Sequence, residues 1–298
     1  MNPENFGKVA VLYGGLSAER EVSLRSGAAV LEALQNQDVN AVGIDATGYE
    51  LVNALRVQKI DRCLIMFHGT YGEDGVVQGL LEGIGIPYTG CGILASALGM
   101  DKLATKRLWQ CLDLKTPQYR KMKDADDIAD LKFPLAIKPH NQGSSVGVYK
   151  AHNKMEAKKS YHLAKRYGEV MAEEWVEGKE LAVSIVGDQV LPSIWIEPKS
   201  EFYDYDAKYE GGTTYHCPSG LNSEQETQVR NIAQEAFYAV GGSGWGRVDF
   251  ILDAGGVFWL IEVNTVPGMT DLSLVPQSAR EQGWSYEQLV LKILETSL

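Results

Sequence analysis

The sequence predicts an α/β protein, α+β overall, in two or three domains that open on a doubly wound parallel sheet. Three observations carry this. A chain of 298 residues exceeds the size at which a single hydrophobic core usually stops growing. The N-terminal third alternates short apolar runs with glycine turns and amphipathic segments, the pattern of strands and helices in turn. The C-terminal third instead pairs two apolar runs across Asp253-Ala254-Gly255-Gly256, the mark of an antiparallel hairpin.

Composition narrows the partners. Hydrophobic content of 45% and charged content of 22% are ordinary for a globular protein. A net charge of −11 argues against nucleic acid, which is bound by a basic surplus, but allows a small anion met by a few local lysines. Cys63, Cys91, Cys111 and Cys217 are scattered with no Cys-x-x-Cys, the usage of a reducing compartment, which disfavours zinc. The first residues show no signal-peptide pattern, and no apolar run approaches the ~20 residues that span a bilayer.

Lys8 to Tyr13 reads as a strand, Gly14-Gly15 as its turn, and Ser17 as the N-cap of a helix with apolar positions at Val22, Ala29, Val30, Ala33 and Leu34. No Gly-x-Gly-x-x-Gly accompanies the turn, so a dinucleotide site does not follow. Strands at 40–44 and 62–67 continue the alternation, and a loop runs from His68 to Gly75. Loops after parallel strands gather at one sheet edge, which places Glu19 and His68 together. A carboxylate in a first helical turn also suits the helix dipole, and a lone histidine is often structural.

A helix from Met100 to Leu112 carries Lys102, Lys106 and Arg107 and starts a new domain. The strand ending at Lys138-Pro139 feeds a loop in which Gly143 and Gly147 surround Ser144 and Ser145. Backbone N–H groups and hydroxyls there can wrap a phosphate, with Lys138 adding charge, although the loop is not a Walker loop. After a polar helix at 153–167, the segment from Glu173 through Trp175 and Val176 to Glu180 could hold a nucleoside. Glu173 and backbone groups would face the base and Glu180 the ribose; solvated glutamates are the plainer alternative. The aromatic loop from Phe202 to Gly212 reads as a lid. Ser223 and Glu226 form a capping box for a helix with Val229, Ile232, Ala233, Ala236, Phe237 and Val240 on one stripe. Two amphipathic helices, near 274–282 and 286–294, close the chain.

In the hairpin, residues two apart share a face, which groups Arg247 with Asp249 and Glu262 with Asn264. The expected register sets Glu262 opposite Arg247 with Asp249 on the diagonal, roughly 7 Å away. Val248, Phe250, Ile261 and Val263 then point into a core. Asp249, Glu262 and Asn264 are hard oxygen donors that suit magnesium, whose other positions go to phosphate oxygens and water. A solvated face of a surface hairpin is the alternative.

Several motifs now stand in order. They are Gly-Gly-x-Ser-Ala-Glu-Arg-Glu-Val-Ser at 14–23, His-Gly and Gly-Glu-Asp-Gly at 68–75, Met-Asp-Lys at 100–102 and Lys-Pro-x-x-x-Gly-Ser-Ser-Val-Gly at 138–147. Asp-Tyr-x-Ala-Lys-Tyr at 204–209, Gly-Arg-x-Asp at 246–249 and Glu-x-Asn-Thr-x-Pro-Gly-Met-Thr at 262–270 complete the set. Together they resemble the D-alanine–D-alanine ligase family nearly end to end. The resemblance implies an ATP-grasp fold of three domains, at 1–99, 100–179 and 180–298, with ATP between the second and third. It implies a cytoplasmic homodimer that joins two D-alanines for peptidoglycan precursors, with ATP as co-substrate and two magnesium ions, or manganese in their place, on Asp249, Glu262 and Asn264.

By motif position, the resemblance assigns Lys102, Lys138, Gly143, Ser144, Ser145, Glu173, Trp175, Val176, Glu180 and Lys208 to ATP. Glu19 and His68 go to the first D-alanine, Arg247 and the Gly268 N–H to the developing oxyanion, and Ser273 with the Leu274 amide to the second D-alanine. Glu19, Ser144 and Tyr209 form a hydrogen-bonded triad, and Lys208-Tyr209 favours an amine over a hydroxyl nucleophile. Glu174 departs from the family, which often has a basic residue there. Ligases that take D-serine or D-lactate second are the nearest alternative, and a regulatory nucleotide-binding pseudoenzyme the more distant one.

Overall fold

The computed structural model describes residues 3–128, 130–198 and 213–298. Three sheets organise them, each beside its own apolar cluster. The first is parallel, in the order β2-β1-β3, from β1 (Val9–Leu12), β2 (Ala41–Ile44) and β3 (Arg62–Ile65). All four residues of β1 are buried, as a central parallel strand requires. Helices α1 (Arg20–Gln35), α2 (Gly48–Gln58), α3 (Val76–Gly83) and α4 (Ile93–Met100) complete the α/β alternation. Gly14 holds a left-handed turn after β1, and a Cβ there would stand 2.2 Å from the Asp45 carboxylate. Ser17 does not cap α1 as expected. Its hydroxyl donates to the His68 carbonyl at 2.7 Å, and Glu19 occupies the cap position without a capping bond. The loop after the neighbouring strand β3 takes the serine, which ties the two loops together.

After α5 (Lys102–Cys111) comes an antiparallel sheet in the order β4-β7-β5-β6, formed by β4 (Tyr119–Lys121), β5 (Leu135–Pro139), β6 (Tyr149–Ala151) and β7 (Val170–Glu174). Helix α6 (Lys154–Ala164) packs on it. Every residue of β5 is buried, Lys138 included.

The third sheet follows the path β11-β10-β8-β12-β13, with β9 paired to β8. Its strands are β8 (Gly178–Val186), β9 (Gln189–Val190), β10 (Ile194–Pro198), β11 (Thr213–His216), β12 (Trp245–Asp253) and β13 (Phe258–Asn264). Helix α7 (Ser223–Ala239) lays Val229, Ala233, Ala236 and Phe237 against it. Its capping box falls one residue earlier than expected, on Asn222 and Gln225. Glu226 is diverted to accept from the Ser193 N–H at 2.9 Å, a tertiary bond no local pattern announces. Helices α8 (Leu274–Glu281) and α9 (Tyr286–Glu295) return to the start of the chain, where Leu289, Val290 and Ile293 join Val30 and Leu34 in one core.

The β12–β13 register differs from expectation. Asp249 lies opposite Glu262, and Arg247 opposite Asn264. A bulge between Asp249 and Phe250 makes Ile261 the extra residue, so Phe250 pairs with Leu260. Leu260 therefore enters the core, whereas Ile261 faces the cleft.

Trp109 of α5 is fully buried in the third cluster and its indole N–H donates to the Ala236 carbonyl at 3.0 Å. Trp109→Ala should destabilise by about 3–5 kcal/mol, read as a lower urea midpoint. A midpoint within error of the unaltered protein would show that α5 is not anchored there.

Candidate active site

Two cavities meet where the sheets converge. The first lies between the central and third sheets and is floored by Lys138 of β5. Lys102, Ser145, Glu173, Trp175, Val176 and Glu180 line it, and Asp249 and Glu262 close its inner end. The second cavity lies against the first sheet. Glu19, His68, Gly143, Ser144, Arg247, Asn264, Gly268, Ser273 and Leu274 line it. A small pocket bordered by Lys102, Gly143, Glu262 and Asn264 lies between the two. Every expected site residue thus falls on these cavities except Lys208 and Tyr209, which lie outside the described residues along with the rest of the expected lid.

The Gly143–Gly147 loop serves both cavities. Ser144 and Ser145 adopt left-handed φ values of 50° and 58°, uncommon for non-glycine residues. Ser144 lines the second cavity and Ser145 the first. Ser144 Oγ donates to Glu19 Oε2 at 2.6 Å, joining the central sheet's loop to the first helix. Of the expected triad this is the Ser144–Glu19 bond; Tyr209 lies outside the described residues.

At the junction, Arg247 Nε and Nη2 donate to the two oxygens of Asp249, each at 2.7 Å. Asn264 Nδ2 donates to Asp249 Oδ2 at 2.9 Å, and Glu262 pairs with Lys102 Nζ at 2.9 Å. Among the described residues no group of three or more His, Cys, Asp or Glu gathers as a metal site. Two carboxylates facing each other across a strand pair and opening on a lysine-lined cavity nonetheless fit a hard cation that completes its shell with phosphate oxygens and water. Their donor set is all oxygen, without thiol or imidazole.

The geometry also bears on Glu173. Both its oxygens face lysines: Oε1 meets Lys138 Nζ at 3.0 Å and Oε2 meets Lys106 Nζ at 2.7 Å. Burial would raise its pKa, but the two ammoniums outweigh that and hold it below the usual glutamate value. Burial pulls Lys106 down to about 8, against the pull of Glu173. Sequence reading counted Lys106 only as one basic residue of its helix. A lysine at the spacing of Leu103 and Trp109, on the apolar face of α5, was the available signal.

Glu73 was likewise missed as a site residue. It lines the second cavity, accepting from the Gly69 N–H and the Val266 N–H at 3.0 Å each. Burial, reinforced by the nearby Glu19 charge, pushes its pKa up to about 8. His68 is buried beside it, and burial lowers its pKa despite Glu19. Its Nδ1 donates to the Val266 carbonyl at 2.8 Å, since a carbonyl can only accept, which leaves Nε2 to accept from Ser26 Oγ at 3.3 Å. At the far wall, Ser273 stands at the N-cap of α8, and a Cβ on Gly268 would lie 2.9 Å from Ser273 Oγ. The Leu274 and Val275 N–H groups of that first helix turn favour a carboxylate.

Two antiparallel sheets closing on a lysine-floored cavity, with paired carboxylates at its inner end, define an enzyme of the ATP-grasp class. The family model for the D-ala D-ala ligase C-terminus matches residues 105–295, and that for the N-terminus matches 8–56 and 49–91. The D-alanine--D-alanine ligase of Stutzerimonas stutzeri is 51% identical, covering 100% of this chain and 96% of its own. The structure of D-alanine--D-alanine ligase from Bacillus anthracis complexed with ATP matches with a TM-score of 0.86 at 31% identity, covering 97% of both chains. That of the VanG D-Ala:D-Ser ligase from Enterococcus faecalis matches at 0.85 and 30%, covering 98% of this chain and 99% of that one. The chain belongs to the D-alanine–D-alanine ligase family.

Glu73 binds a proton more tightly in the folded than in the unfolded chain, where glutamate ionises near its ordinary value. Its contribution is full below that value and is lost as pH rises through about 8. Unfolding midpoints measured from pH 5 to 9 should fall across this window, and Glu73→Gln should flatten the slope even if it lowers the midpoint throughout. An unchanged slope would reject the assignment.

Proposed function

We propose that the chain joins two D-alanines into D-alanyl-D-alanine at the expense of ATP, through an acyl phosphate, for peptidoglycan precursors. The observation that carries this reading is the meeting of a lysine-floored cavity and a second cavity lined by Glu19, His68 and Ser273 at Arg247, Asp249 and Glu262. Glu19 attracts the ammonium of the first D-alanine, and Arg247 draws its carboxylate towards the nucleotide. One carboxylate oxygen attacks the γ-phosphorus, the bond to the β-phosphate oxygen breaks, and ADP leaves. Lys102 and Lys138 offset the charge spread over the phosphoryl oxygens, the main demand of phosphoryl transfer. Two magnesium ions held by Asp249, Glu262 and Asn264, replaceable by manganese, would add Lewis-acid charge stabilisation at the phosphates.

The second D-alanine places its carboxylate at Ser273 and the Leu274 N–H. Its amine, having released one proton to solvent, attacks the acyl carbon, and phosphate departs with the electrons of the acyl–oxygen bond and takes up the second proton that the nitrogen sheds. Arg247 and the Gly268 N–H stabilise the tetrahedral oxyanion between these events. Lys208 and Tyr209 are proposed to complete the site from the lid, Lys208 at the phosphates and Tyr209 in the triad with Ser144 and Glu19. Around ATP, Trp175, Val176 and Glu173 serve the base, Glu180 the ribose, and Gly143, Ser144 and Ser145 the phosphates. Since both Glu173 oxygens face lysines, its contribution to the base edge is shared with backbone groups.

The same reading divides the chain into domains at 1–99, 100–179 and 180–298. It also takes the protein to be a cytoplasmic homodimer. Among the described residues no helix is long and apolar enough to cross a membrane. A second reading, D-serine as the second substrate, draws on the VanG D-Ala:D-Ser ligase match.

Phosphate release from ATP and magnesium should depend on D-alanine and be absent with L-alanine; D-serine and D-lactate in the same assay decide between second substrates. ATP binding with no D-amino-acid stimulation would sink the enzyme reading. Glu262→Gln should abolish turnover in a chain that still folds, and full activity in that variant would remove the metal assignment.

A further inference from the structure

Lys106 is fully buried, with its ammonium donating to Thr116 Oγ1 at 2.5 Å and to the Leu260 carbonyl at 3.3 Å, besides pairing with Glu173. It lines neither cavity. Its three neighbours come from different parts of the fold. Glu173 is the next-to-last residue of the central sheet's β7, Leu260 belongs to β13 of the third sheet, and Thr116 lies between α5 and β4. A buried ion pair seldom stabilises more than apolar side chains of like volume would, so fold stability gives this lysine no evident reason to be charged.

Charge balance does supply a reason. Lys138 floors the nucleotide cavity with its Nζ held 3.0 Å from Glu173. Glu173 and Lys138 alone would be a neutral pair and would present little field to an anion. With Lys106 on the second carboxylate oxygen, the trio carries one net positive charge, and Lys138 and Glu173 are the members that border the cavity. Lys106 also links Glu173 to the strand that carries Glu262, because it donates to the carbonyl of Leu260, two residues before Glu262.

We propose that Lys106 is a positioning residue for the nucleotide: by neutralising Glu173 from behind the cavity, it leaves the charge of Lys138 available to a polyphosphate. This rests on the reading of that cavity as the ATP site. Lys106→Met keeps the side-chain volume and removes the charge. ATP titrated into Lys106→Met should bind at least about tenfold more weakly, with a matching rise in KM for ATP and an unchanged KM for D-alanine. In a Glu173→Gln background no carboxylate remains to be neutralised, so adding Lys106→Met should change ATP affinity no further. That double variant is also the one to compare with Glu173→Gln alone if Lys106→Met fails to fold.

Unaltered ATP affinity in Lys106→Met would overturn the proposal. So would an equal loss for ATP and D-alanine accompanied by a lower unfolding midpoint, or a further loss of ATP affinity in the double variant. If the unaltered protein itself fails to bind ATP, it is the functional reading that falls, so the two failures are distinguishable.

Discussion

Asp249 and Glu262 stand directly opposite each other on neighbouring strands, an arrangement that like charges oppose. Two cations hold it. Arg247, two residues earlier on the strand of Asp249, clamps that carboxylate in a bidentate pair. Lys102 reaches Glu262 from the start of α5. The first cation is local and follows from strand periodicity. The second requires α5 to run beside β13, and much of the packing around the third sheet serves that approach: Trp109 anchors the helix in the core, and Asp101 caps it by accepting from the Leu103 and Ala104 N–H groups.

The same economy of charge extends outward. Lys102, Lys106 and Lys138 are all nearly or fully buried, and each has a carboxylate within ion-pair distance. Isolated buried ammoniums would cost several kcal/mol each. Alternating cations and carboxylates through the interior lets an acidic protein keep a local surplus of one positive charge, since Lys106 and Lys138 share Glu173, while each lysine still has a carboxylate partner. In the second cavity the logic is reversed. Glu19 and Glu73 both line it, and burial, reinforced by the Glu19 charge, raises Glu73 so that it holds its proton.

The connection between the cavities is made by the loop from Gly143 to Gly147. Two consecutive left-handed serines send their side chains to different cavities, and the Ser144–Glu19 bond ties that loop to the first helix. Hydrogen bonds of this kind between separately packed units are where domain closure can act on chemistry.

The residue types of the site, the α/β alternation and the glycine turns were determined by sequence, because each depends on neighbours within a few residues. Arg247 and Asp249 share a strand face whatever the rest of the chain does. Tertiary structure alone decided which carboxylate faces which cation. The bulge after Asp249 reset the hairpin register and turned Ile261 to the cleft, the loop at His68 took Ser17 from its helix, and Ser193 drew Glu226 away from a cap. Lys106 and Glu73 escaped notice for the same reason. Their roles come from burial and from partners far along the chain, Leu260 and Val266, and a desolvated charge is defined by what surrounds it in space rather than by its place in a motif.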